Sequence, residues 1–566
     1  MPLPSLYCSQ NERLGFDVDE SIVPYDVGQL HAGWYVHYPW ITGEAPHTAG
    51  LDYAQIISVC DDAYRQCAYP YSPQGATLAG MVAANPGALW LVGNEPDCPY
   101  MDNTGPERYA VIYHDVYHEL KRLDPTAQVA IGGVVQATPL RMRWLDRVWQ
   151  EYQRRYGQPM PVDVWNVHAF VLREDRRGWG CGIPPGLPDN TGELRGINDL
   201  DRMDLFAEQI VRFRRWMADH GQRNKPLIVA EYGILFNEEL GYGYQRVRDY
   251  MLATFDYFLN ATDPAIGYPA DGNRLVQRWA WFVLDRNTFE WGTFWGALFD
   301  RQTRQITALG QEFGRYAAPL VTPYVDLLPQ QVTWAWAQPP VFGQRASLQV
   351  TTAVANGGNV AVQQPFLVRA WLGSPPGGEI LGETTVTSVP GRYAGHAVAS
   401  ITGQVMINGP RETVLAVWVD PAGAVAECHE DNNQAQVPLA IDVDVAVDRL
   451  RFEPALVPVV QPGQMVTVTV IARLVNEGDV EVRDLALRFE GSEGLLEGKR
   501  IAALPAGGQV EIGTAWPGLG QGFHQVKVTV DPDDEVHESD EANNTRQATL
   551  LVPRSRYFFP WIANRR

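Results

Sequence analysis

The chain has 566 residues, too many for one hydrophobic core, so we expect roughly two to four domains. A hydrophobic content of 45%, with 18 Trp, 24 Tyr and 19 Phe, excludes a disordered chain. The net charge of -21 and the pI near 5.0 argue against a nucleic-acid partner, because phosphates require a basic surface. This charge fits a soluble protein that acts on neutral substrates.

The start of the chain bears on its location. Residues Met1 to Cys8 contain neither a basic region nor an apolar region, so they are not a signal peptide. No run approaches the roughly 18 to 20 apolar residues of a membrane helix, and no membrane span is expected. The acidic composition and the modules beyond residue 322 favour a secreted or cell-surface protein whose leader has been replaced by Met1; a cytosolic protein is the alternative.

Residues 10 to 320 alternate short apolar runs with longer amphipathic runs, a pattern typical of βα units and a parallel sheet. Eight strands are predicted: Arg13 to Val18, Leu30 to His37, Tyr53 to Val59, Ala88 to Gly93, Gln128 to Gly132, Val162 to Phe170, Pro226 to Tyr232 and Val276 to Leu284. Eight strands over about 310 residues indicate a (β/α)8 TIM barrel rather than an open sheet.

Apolar residues at spacings of three and four predict helices between the later strands. These helices are Pro106 to Leu123, Arg141 to Tyr156, Leu205 to His220, Tyr244 to Leu259 and Ala308 to Ala317. The first two connections are short and only weakly helical, so the barrel is least regular at its start.

The composition changes near Thr322, where helical patterns stop and short runs of Val, Thr and Gly begin. This pattern predicts β-sandwiches. An internal repeat divides the region, because Val419-Asp420-Pro421 recurs 111 positions later as Val530-Asp531-Pro532. We therefore expect a multidomain chain with a barrel at 1–322, immunoglobulin-like sandwiches at 323–440 and 441–553, and a tail at 554–566.

Both predicted sandwiches share a late Asp-Pro, Glu and Asn-Asn pattern, which ends in Asn432-Asn433 and in Asn543-Asn544. In this pattern they resemble the bacterial cell-adhesion-related domain family, CARDB. The resemblance implies spacing, surface attachment or ligand contact through these domains, and no chemistry.

Three features of the chain leave alternatives open. The acidic residues between Asp531 and Glu541 would suit calcium, but a solvated hairpin rim is the simpler interpretation because charge runs usually stay hydrated. Cys60 with Cys67, and Cys98 with Cys181, would form disulfides in an exported protein, or remain free buried thiols. The aromatic tail from Tyr557 to Ile562 either packs on the last sandwich or mediates attachment.

Two apolar strands of the predicted barrel end in a single glutamate. The first runs into Asn94-Glu95-Pro96 and the second into Glu231-Tyr232. Side chains at the carboxyl ends of barrel strands meet at one mouth, where catalytic residues lie. Two carboxylates across such a mouth suit glycosidic bond cleavage, with one as the acid and the other as a nucleophile or base. Turn capping by Asn94 and Glu95 is the simpler alternative.

At these residues the chain resembles the clan A glycoside hydrolases, retaining (β/α)8 enzymes with Asn-Glu-Pro on strand four and Glu on strand seven, and within them family 39. The resemblance covers about residues 10 to 320. It implies that Glu95 is the general acid and base, that Glu231 is the nucleophile, and that Asn94 binds the sugar 2-hydroxyl. His168 stands where the family often places a histidine near the active centre, although it would equally suit a core histidine.

Trp279 and Trp281 on strand eight are candidates for the platform beneath the sugar, with Trp281 favoured because it lies nearer the carboxyl end. Alternation places both on one side of the strand, either inside the barrel or against the helices. The family's Tyr and Arg beside the nucleophile are absent, and Phe170 and the run Tyr35-Val36-His37-Tyr38 stand there instead. We expect His37 or Tyr232 to replace them.

The sequence thus predicts a retaining β-glycoside hydrolase that needs no cofactor or metal and takes an oligosaccharide or polysaccharide as its partner. Long loops after strands three and six, with Tyr64, Tyr69, Tyr71 and Trp179, would form the substrate surface. The alternative is a non-catalytic carbohydrate-binding or adhesion protein on a barrel scaffold. A metal site made of the same carboxylates is a weaker third hypothesis, because no His/Asp triad accompanies them.

Overall fold

The structure is a computed structural model that describes residues 6–39, 41–46, 50–64, 66–286, 288–289 and 292–554. The chain divides into two compact units. The first is Met1–Val325 with Gly357–Val360 and Pro390–Ala394, and the second contains the rest of the chain. The predicted boundaries at residues 322, 440 and 553 stay predictions.

The first unit is built on eight parallel strands in the order β5-β4-β3-β2-β1-β8-β7-β6. The strands are β1 Leu14–Val18, β2 Trp34–His37, β3 Asp52–Val59, β4 Leu89–Asn94, β5 Gln128–Gly133, β6 Trp165–Val167, β7 Leu227–Tyr232 and β8 Arg278–Trp281. Parallel bridges from Ala130 to Val164 and from Val134 to Val167 link the two outer strands. The sheet is therefore nearly closed, and the predicted eight-stranded barrel is confirmed at this level.

Six α-helices surround this sheet in the described part of the first unit. They are α1 Gly75–Ala84, α2 Pro106–Leu123, α3 Pro139–Tyr156, α4 Met203–Asp219, α5 Tyr244–Asn260 and α6 Ala308–Ala317. The connection from β1 to β2 contains only the 3-10 helix Val27–Leu30. The predicted helices are found, whereas α1 was not predicted, because its small residues give little amphipathic contrast.

Smaller elements complete the unit: the 3-10 helices Gln10–Arg13, Glu238–Leu240, Pro269–Asp271 and Ala318–Leu320, and the two-residue strands Tyr71–Ser72, Thr288–Phe289 and Gly292–Thr293.

The barrel interior is a separate apolar cluster from the layer between the sheet and the helices. Trp34, Val36, Ile56 and Leu91 pack inside it with almost no exposure. Its amino-terminal end is closed by a fully buried ion pair, in which Arg13 donates to Asp271 at 2.6 and 2.7 Å. A structural ion pair thus occupies this end, which leaves the carboxyl ends of the strands for the site.

The second unit contains two sandwiches with the same strand order. The first has a sheet β9-β10-β13 and a sheet β12-β11-β14-β15, and the second has β16-β17-β20 and β19-β18-β21-β22. The strands of the first are β9 Leu327–Trp336, β10 Arg345–Asn356, β11 Phe366–Leu372, β12 Glu379–Val386, β13 Ala397–Met406, β14 Arg411–Val419 and β15 Gln434–Ile441. Those of the second are β16 Val445–Glu453, β17 Val466–Asn476, β18 Val482–Gly491, β19 Gly494–Leu504, β20 Gln509–Leu519, β21 Gly522–Val530 and β22 Thr545–Val552. All pairings are antiparallel, so the predicted sandwiches are confirmed, and their immunoglobulin-like character stays a prediction.

The repeated Asp-Pro motif is a turn that is held by its own side chain. Asp531 accepts hydrogen bonds from the backbone amides of Glu535 and Val536 at 3.0 and 2.8 Å. Asp420 makes the same two bonds, at 3.0 and 2.7 Å, to the amides of the residues four and five positions on. The motif is therefore repeated as geometry as well as sequence.

Two further predictions concern membranes and disulfides. Among the described residues, every helix is too short or too polar to cross a bilayer. Cys60 and Cys67 form a disulfide, as the loop between them allows. Cys98 and Cys181 are buried free thiols, so the second pairing is not formed. The aromatic tail lies outside the described residues.

Candidate active site

Glu95 follows β4 in a left-handed backbone conformation, with φ of 46°. Glutamate has no short side chain to stabilise such a backbone, and residues held this way cluster at functional sites. Asp102 fixes the strand end just before it by accepting from the amides of Asn94 at 2.7 Å and Val59 at 3.1 Å. The Glu95 side chain is thereby turned into the barrel mouth, and the residue is 7% exposed.

Glu231 reaches the same mouth through an irregularity in β7. Ile228 and Ala230 face the barrel interior, whereas Val229 and Tyr232 face the helices. The pairing of β7 with β8 steps from Val229 with Trp279 to Tyr232 with Trp281, so β7 carries one extra residue. Such a bulge re-aims side chains, and strict alternation would have turned Glu231 toward the helices.

His168 joins the two carboxylates. Its Nδ1 lies 3.0 Å from Glu95 Oε1 and 3.6 Å from Glu231 Oε2, and the residue is 2% exposed. One oxygen from each glutamate and one ring nitrogen of the histidine lie within 4.8 Å of one another. Gly133 on β5 makes room for the ring, because a Cβ there would lie 2.1 Å from His168 Cδ2.

Tyr38 is a member of the site that the sequence did not predict. Its hydroxyl donates to Glu231 Oε2, and lies 3.5 Å from Asn94 Oδ1. It stands directly after β2, next to His37, where a replacement for the missing family residues was expected. The available signal was its place at a strand end, but sequence could not decide which of two adjacent rings turns inward.

Burial raises the pKa of Glu231 to about 8, and the nearby charge of Asp19 acts in the same direction, while Arg286 opposes it. Asp17, on the inner side of β1, has a pKa raised well above its ordinary value by burial and by the charge of Glu231. Both oxygens of Asp17 lack hydrogen-bond partners among the described residues. The carboxyl groups of Glu231 and Asp17 at this mouth therefore bind their protons more tightly than ordinary carboxyl groups do.

Glu95, His168 and Glu231 are close enough together to hold a metal ion. Two carboxylates and one imidazole would suit a first-row divalent cation. The same three groups also suit proton transfer and nucleophilic attack on a sugar, which need no metal. The geometry thus brings Asn94, Glu95, His168 and Glu231 together.

The two predicted platform tryptophans lie elsewhere, which corrects that prediction. Trp281 packs against Tyr250 of α5 and Trp279 stacks on Phe258, both with no exposure. Ala280 between them faces the barrel interior. Of the two sides that alternation allowed, the structure takes the helix-facing one, so neither ring lies beneath a sugar.

The two expected replacements beside the nucleophile are also located away from it. Tyr232 is buried against α5, where its hydroxyl accepts from Thr254 at 3.2 Å. His37 is bonded through Nδ1 to the carbonyl of Pro39 at 2.6 Å and lines a cavity of about 340 Å³ beside the loops after β1 and β2. Burial lowers the pKa of His37. Neither residue therefore supplies the hydrogen bond that Glu231 accepts, which comes from Tyr38.

One buried arginine holds the loops of this face. Arg141 of α3 donates to the side chains of Asp97 at 2.6 Å and Glu174 at 2.9 Å, and to the carbonyls of Cys181 and Gly182 at 2.9 and 3.0 Å. Both carboxylates are fully buried, and such charges are tolerated only when paired. The loops after β4 and β6 are thus fastened to one helix.

Of the predicted loop aromatics, Tyr64 and Tyr69 are 43% and 63% exposed. Tyr71 is half-buried in a two-residue strand beside β3, and Trp179 packs on Phe236 with ring centroids 5.3 Å apart. Their part in substrate binding stays a prediction.

Among solved structures, a curdlan-specific exo-β-1,3-glucanase of family GH128 from Blastomyces gilchristii is similar, with 16% identity, coverage of 54% of this chain and 99% of that chain, and a TM-score of 0.33. An α-L-arabinofuranosidase from Thermotoga maritima shows 11% identity, 71% and 98% coverage, and a TM-score of 0.35. The CARDB domain of a Pyrococcus furiosus protein, solved with di-metal ions, shows 18% identity, 19% and 88% coverage, and a TM-score of 0.16.

No curated protein matches the chain. A family model does match part of it, namely the CARDB model over residues 450–548. This range falls within the second sandwich, between β16 and β22. The second sandwich is therefore a CARDB domain.

Proposed function

We propose that the barrel is a retaining β-glycoside hydrolase acting by double displacement, with Glu95 as acid and base and Glu231 as nucleophile. The observation that carries this proposal is the meeting of both carboxylates, within 4.8 Å of each other and of His168, at the carboxyl ends of β4 and β7. Retaining enzymes hold their carboxyl groups about 5 to 5.5 Å apart, whereas inverting enzymes need about 6.5 to 9.5 Å for a water molecule.

In the first step, a carboxylate oxygen of Glu231 bonds to the anomeric carbon as the bond from that carbon to the leaving oxygen breaks. Glu95 gives its proton to the leaving oxygen, which departs as an alcohol. Tyr38 donates to Glu231 Oε2 before attack, which favours the ionised form and orients the other oxygen.

In the second step, Glu95, now ionised, takes a proton from water as the water oxygen attacks the anomeric carbon. Glu231 leaves as a carboxylate, and the two inversions give net retention. Asn94, whose side-chain oxygen lies 3.5 Å from the Tyr38 hydroxyl, would bond the sugar 2-hydroxyl. His168, whose Nδ1 lies 3.0 Å from Glu95 Oε1, would remain hydrogen-bonded to this carboxyl group while the group loses and regains its proton.

The sandwiches would connect the enzyme to a cell surface or a polysaccharide. The CARDB match of the second, the matching strand order of the first and the repeated Asp-Pro turn support a CARDB-like role for both. The disulfide between Cys60 and Cys67 supports secretion or exposure at the cell surface, since disulfides persist in oxidising compartments.

The test is to incubate the protein with 2,4-dinitrophenyl 2-deoxy-2-fluoro-β-glycosides of gluco, xylo and manno configuration and to locate adducts by peptide mass spectrometry. We expect one adduct, on Glu231, and none in Glu231→Gln. The variant Glu538→Gln, in which a buried glutamate of the second sandwich is changed in the same way, should label normally. Hydrolysis of xylan, mannan and β-glucans would identify the sugar, and an unlabelled but fully active Glu231→Gln would end the proposal.

A further inference from the structure

Asn166 of β6 is fully buried beneath the two carboxylates. It stands in register with Ile228 of β7, yet its side chain reaches two residues further along that strand, where Oδ1 accepts from the amide of Ala230 at 3.1 Å. Its Nδ2 donates to the carbonyl of Ile131 on β5 at 3.3 Å. One side chain therefore links three adjacent strands.

The bond to Ala230 falls within the β7 bulge. Pairing with β8 is in register at Val229 and again at Tyr232, where Phe282 donates to the Tyr232 carbonyl at 2.9 Å. Between these two points β7 has two residues, Ala230 and Glu231, where β8 has only Ala280. The bulge interrupts the pairing of β7 with β8, and the bond from the Ala230 amide to Asn166 holds the bulged segment on its other side, against β6.

We propose that Asn166 is a positioning residue that holds the β7 bulge and so sets how Glu231 is presented to the anomeric carbon. This inference rests on the proposed function, because it assigns a role in the same reaction. The hydrogen bonds described for the Asn166 side chain go to backbone groups and to neither carboxylate. His168, two residues further along the chain and on the same inner side, contacts both carboxylates. The segment from Asn166 to His168 therefore both positions Glu231 and links it to Glu95.

Gly133 supports the same arrangement from β5. A Cβ at this position would lie 3.1 Å from Asn166 Nδ2 and 2.1 Å from the His168 ring. A glycine thus leaves space for both side chains at once. The close packing of this layer means that Asn166 has one arrangement, which a shorter side chain would not reproduce.

The test compares Asn166→Ala with Asn85→Ala. Asn85 is a matched control in the same domain, since it is 5% exposed and accepts from the amide of Ala45 at 2.8 Å while donating to two carbonyls. On the aryl glycoside that the wild type cleaves fastest, we expect kcat of Asn166→Ala to fall by about 100-fold, as for a misplacement near 1 Å, with KM changed by less than about threefold. Asn85→Ala should lower the Tm without this loss in kcat.

The conservative variant Asn166→Asp gives a readout that a merely structural role would not move. A protonated aspartic acid can still accept from Ala230 and donate to the Ile131 carbonyl, whereas an ionised one loses the donor. The ratio of its kcat to that of the wild type should therefore fall as the pH rises. A kcat for Asn166→Ala within about threefold of Asn85→Ala, or a flat ratio in Asn166→Asp, would overturn the proposal.

A third measurement separates this proposal from the proposed function. With 13C-carboxyl-labelled glutamate, the resonance lost in Glu231→Gln identifies Glu231, and its titration needs no turnover. We expect the pKa of Glu231 to move in Asn166→Ala and to stay unchanged in Asn85→Ala. If the fluoroglycosides fail to label the wild type but this pKa moves, the reaction is wrong and the positioning role stands; an unmoved pKa overturns the positioning role whatever the reaction.

Discussion

Two buried glutamates of this protein share an altered proton affinity but have different surroundings. Burial raises the pKa of Glu231 in the barrel to about 8, and it does the same for Glu538 in the second sandwich. Both oxygens of Glu538 are held by structural donors, the amide of Val445 at 2.6 Å and the side chain of Asn544 at 3.0 Å. Glu231 instead faces groups that can act on a substrate. A raised pKa alone therefore does not identify a catalytic residue, whereas the convergence of chemical groups does.

Backbone strain shows the same contrast. Asp420 and Asp531 in the sandwiches have φ of 45° and 44°, close to the 46° of Glu95. The side chain of each aspartate accepts two hydrogen bonds from backbone amides of the turn, which offset the strained backbone. The Glu95 side chain points to His168 instead. In the sandwiches the strained backbone is thus part of a turn, whereas in the barrel it directs the Glu95 side chain into the site.

The largest effect that would test this contrast is the loss of the nucleophile. We expect Glu231→Ala to lower kcat/KM by about four orders of magnitude or more, since the covalent route is removed. Glu538→Gln should leave kcat/KM unchanged. Both are measured with the same aryl glycoside at matched concentrations of folded protein, and equal losses in the two variants would break the comparison.

Glu95 should show a dependence on the leaving group. In Glu95→Ala, hydrolysis of an unactivated glycoside should fall by about 10²- to 10⁴-fold, because its leaving oxygen needs a proton. Formation of the glycosyl-enzyme from a 2,4-dinitrophenyl glycoside should be far less affected, because that group leaves as a stable anion. Added azide, which needs no base, should restore turnover as a β-glycosyl azide; an α-azide product would contradict retention.

Tyr38→Phe removes the hydroxyl that donates to Glu231. Hydrogen bonds to charged groups contribute about 1.5 to 3 kcal/mol, so we expect kcat to fall by roughly 10- to 150-fold. Tyr35→Phe is the matched control, since its buried hydroxyl donates to the carbonyl of Pro46 at 3.1 Å and faces no carboxylate. Steady-state kinetics on both variants would decide whether Tyr38 replaces the expected support of the nucleophile.

How far the sequence could predict this site depends on how local each feature is. The apolar runs that end in Glu95 and Glu231 mark strand ends, so the eight-stranded barrel and the place of both glutamates at one end of it followed from pattern, whereas the inward turn of Glu231 depends on the β7 bulge. The side of the strand on which Trp281 lies did not follow from the pattern. Alternation places Trp279 and Trp281 on the same side of β8 but does not decide whether that side is the interior or the helices. In the structure, Trp279 pairs with the helix-facing Val229 and Trp281 with the helix-facing Tyr232, so both rings lie on the helix side.

Tyr38 shows the same limit at a strand end. Sequence placed His37 and Tyr38 at the end of β2, but the loop geometry that turns the tyrosine toward Glu231 depends on contacts between distant residues. Asn166 is similar, because its bond to Ala230 joins residues 64 positions apart. A bulge and its partner carry no local sequence signal, whereas strand ends and repeats do.

Asp19→Asn should shift the pH dependence of the reaction. Because the ionised form of Glu231 attacks, kcat/KM of the wild type should rise with pH toward about 8, where Glu231 loses its proton. The charge of Asp19 helps to raise the pKa of Glu231, so removing this charge should move the rise in kcat/KM to lower pH. Arg286, which opposes the raised pKa, remains in place in this variant. A rise in kcat/KM at an unchanged pH would show that Asp19 is not coupled to the nucleophile.

Asp17→Asn makes a prediction about stability. The folded chain holds the Asp17 proton more tightly than the unfolded chain, so wild-type stability falls as the pH rises above the ordinary value of 3.8. Asparagine does not ionise, and Asp17→Asn should therefore have the higher Tm at pH 7 and lose this advantage toward pH 3.8. Calorimetry at several pH values measures it, and a lower Tm at pH 7 would mean that the carboxyl has a stabilising partner.

The smallest expected effect concerns the repeated turns, and it affects stability alone. Asp420→Ala and Asp531→Ala each leave two backbone amides without their acceptor, one of them in each turn fully within the core, which costs about 1 to 3 kcal/mol of folding free energy. Because the two turns have the same bonds, the two variants should lose similar stability in calorimetry, with kcat unchanged. Calcium should leave the wild-type Tm unaltered, since both oxygens of each aspartate already accept from the backbone. A rise in Tm with calcium that Asp531→Ala abolishes would instead make the acidic turn a cation site, and the contrast between a structural and a functional set of acids would hold for the barrel alone.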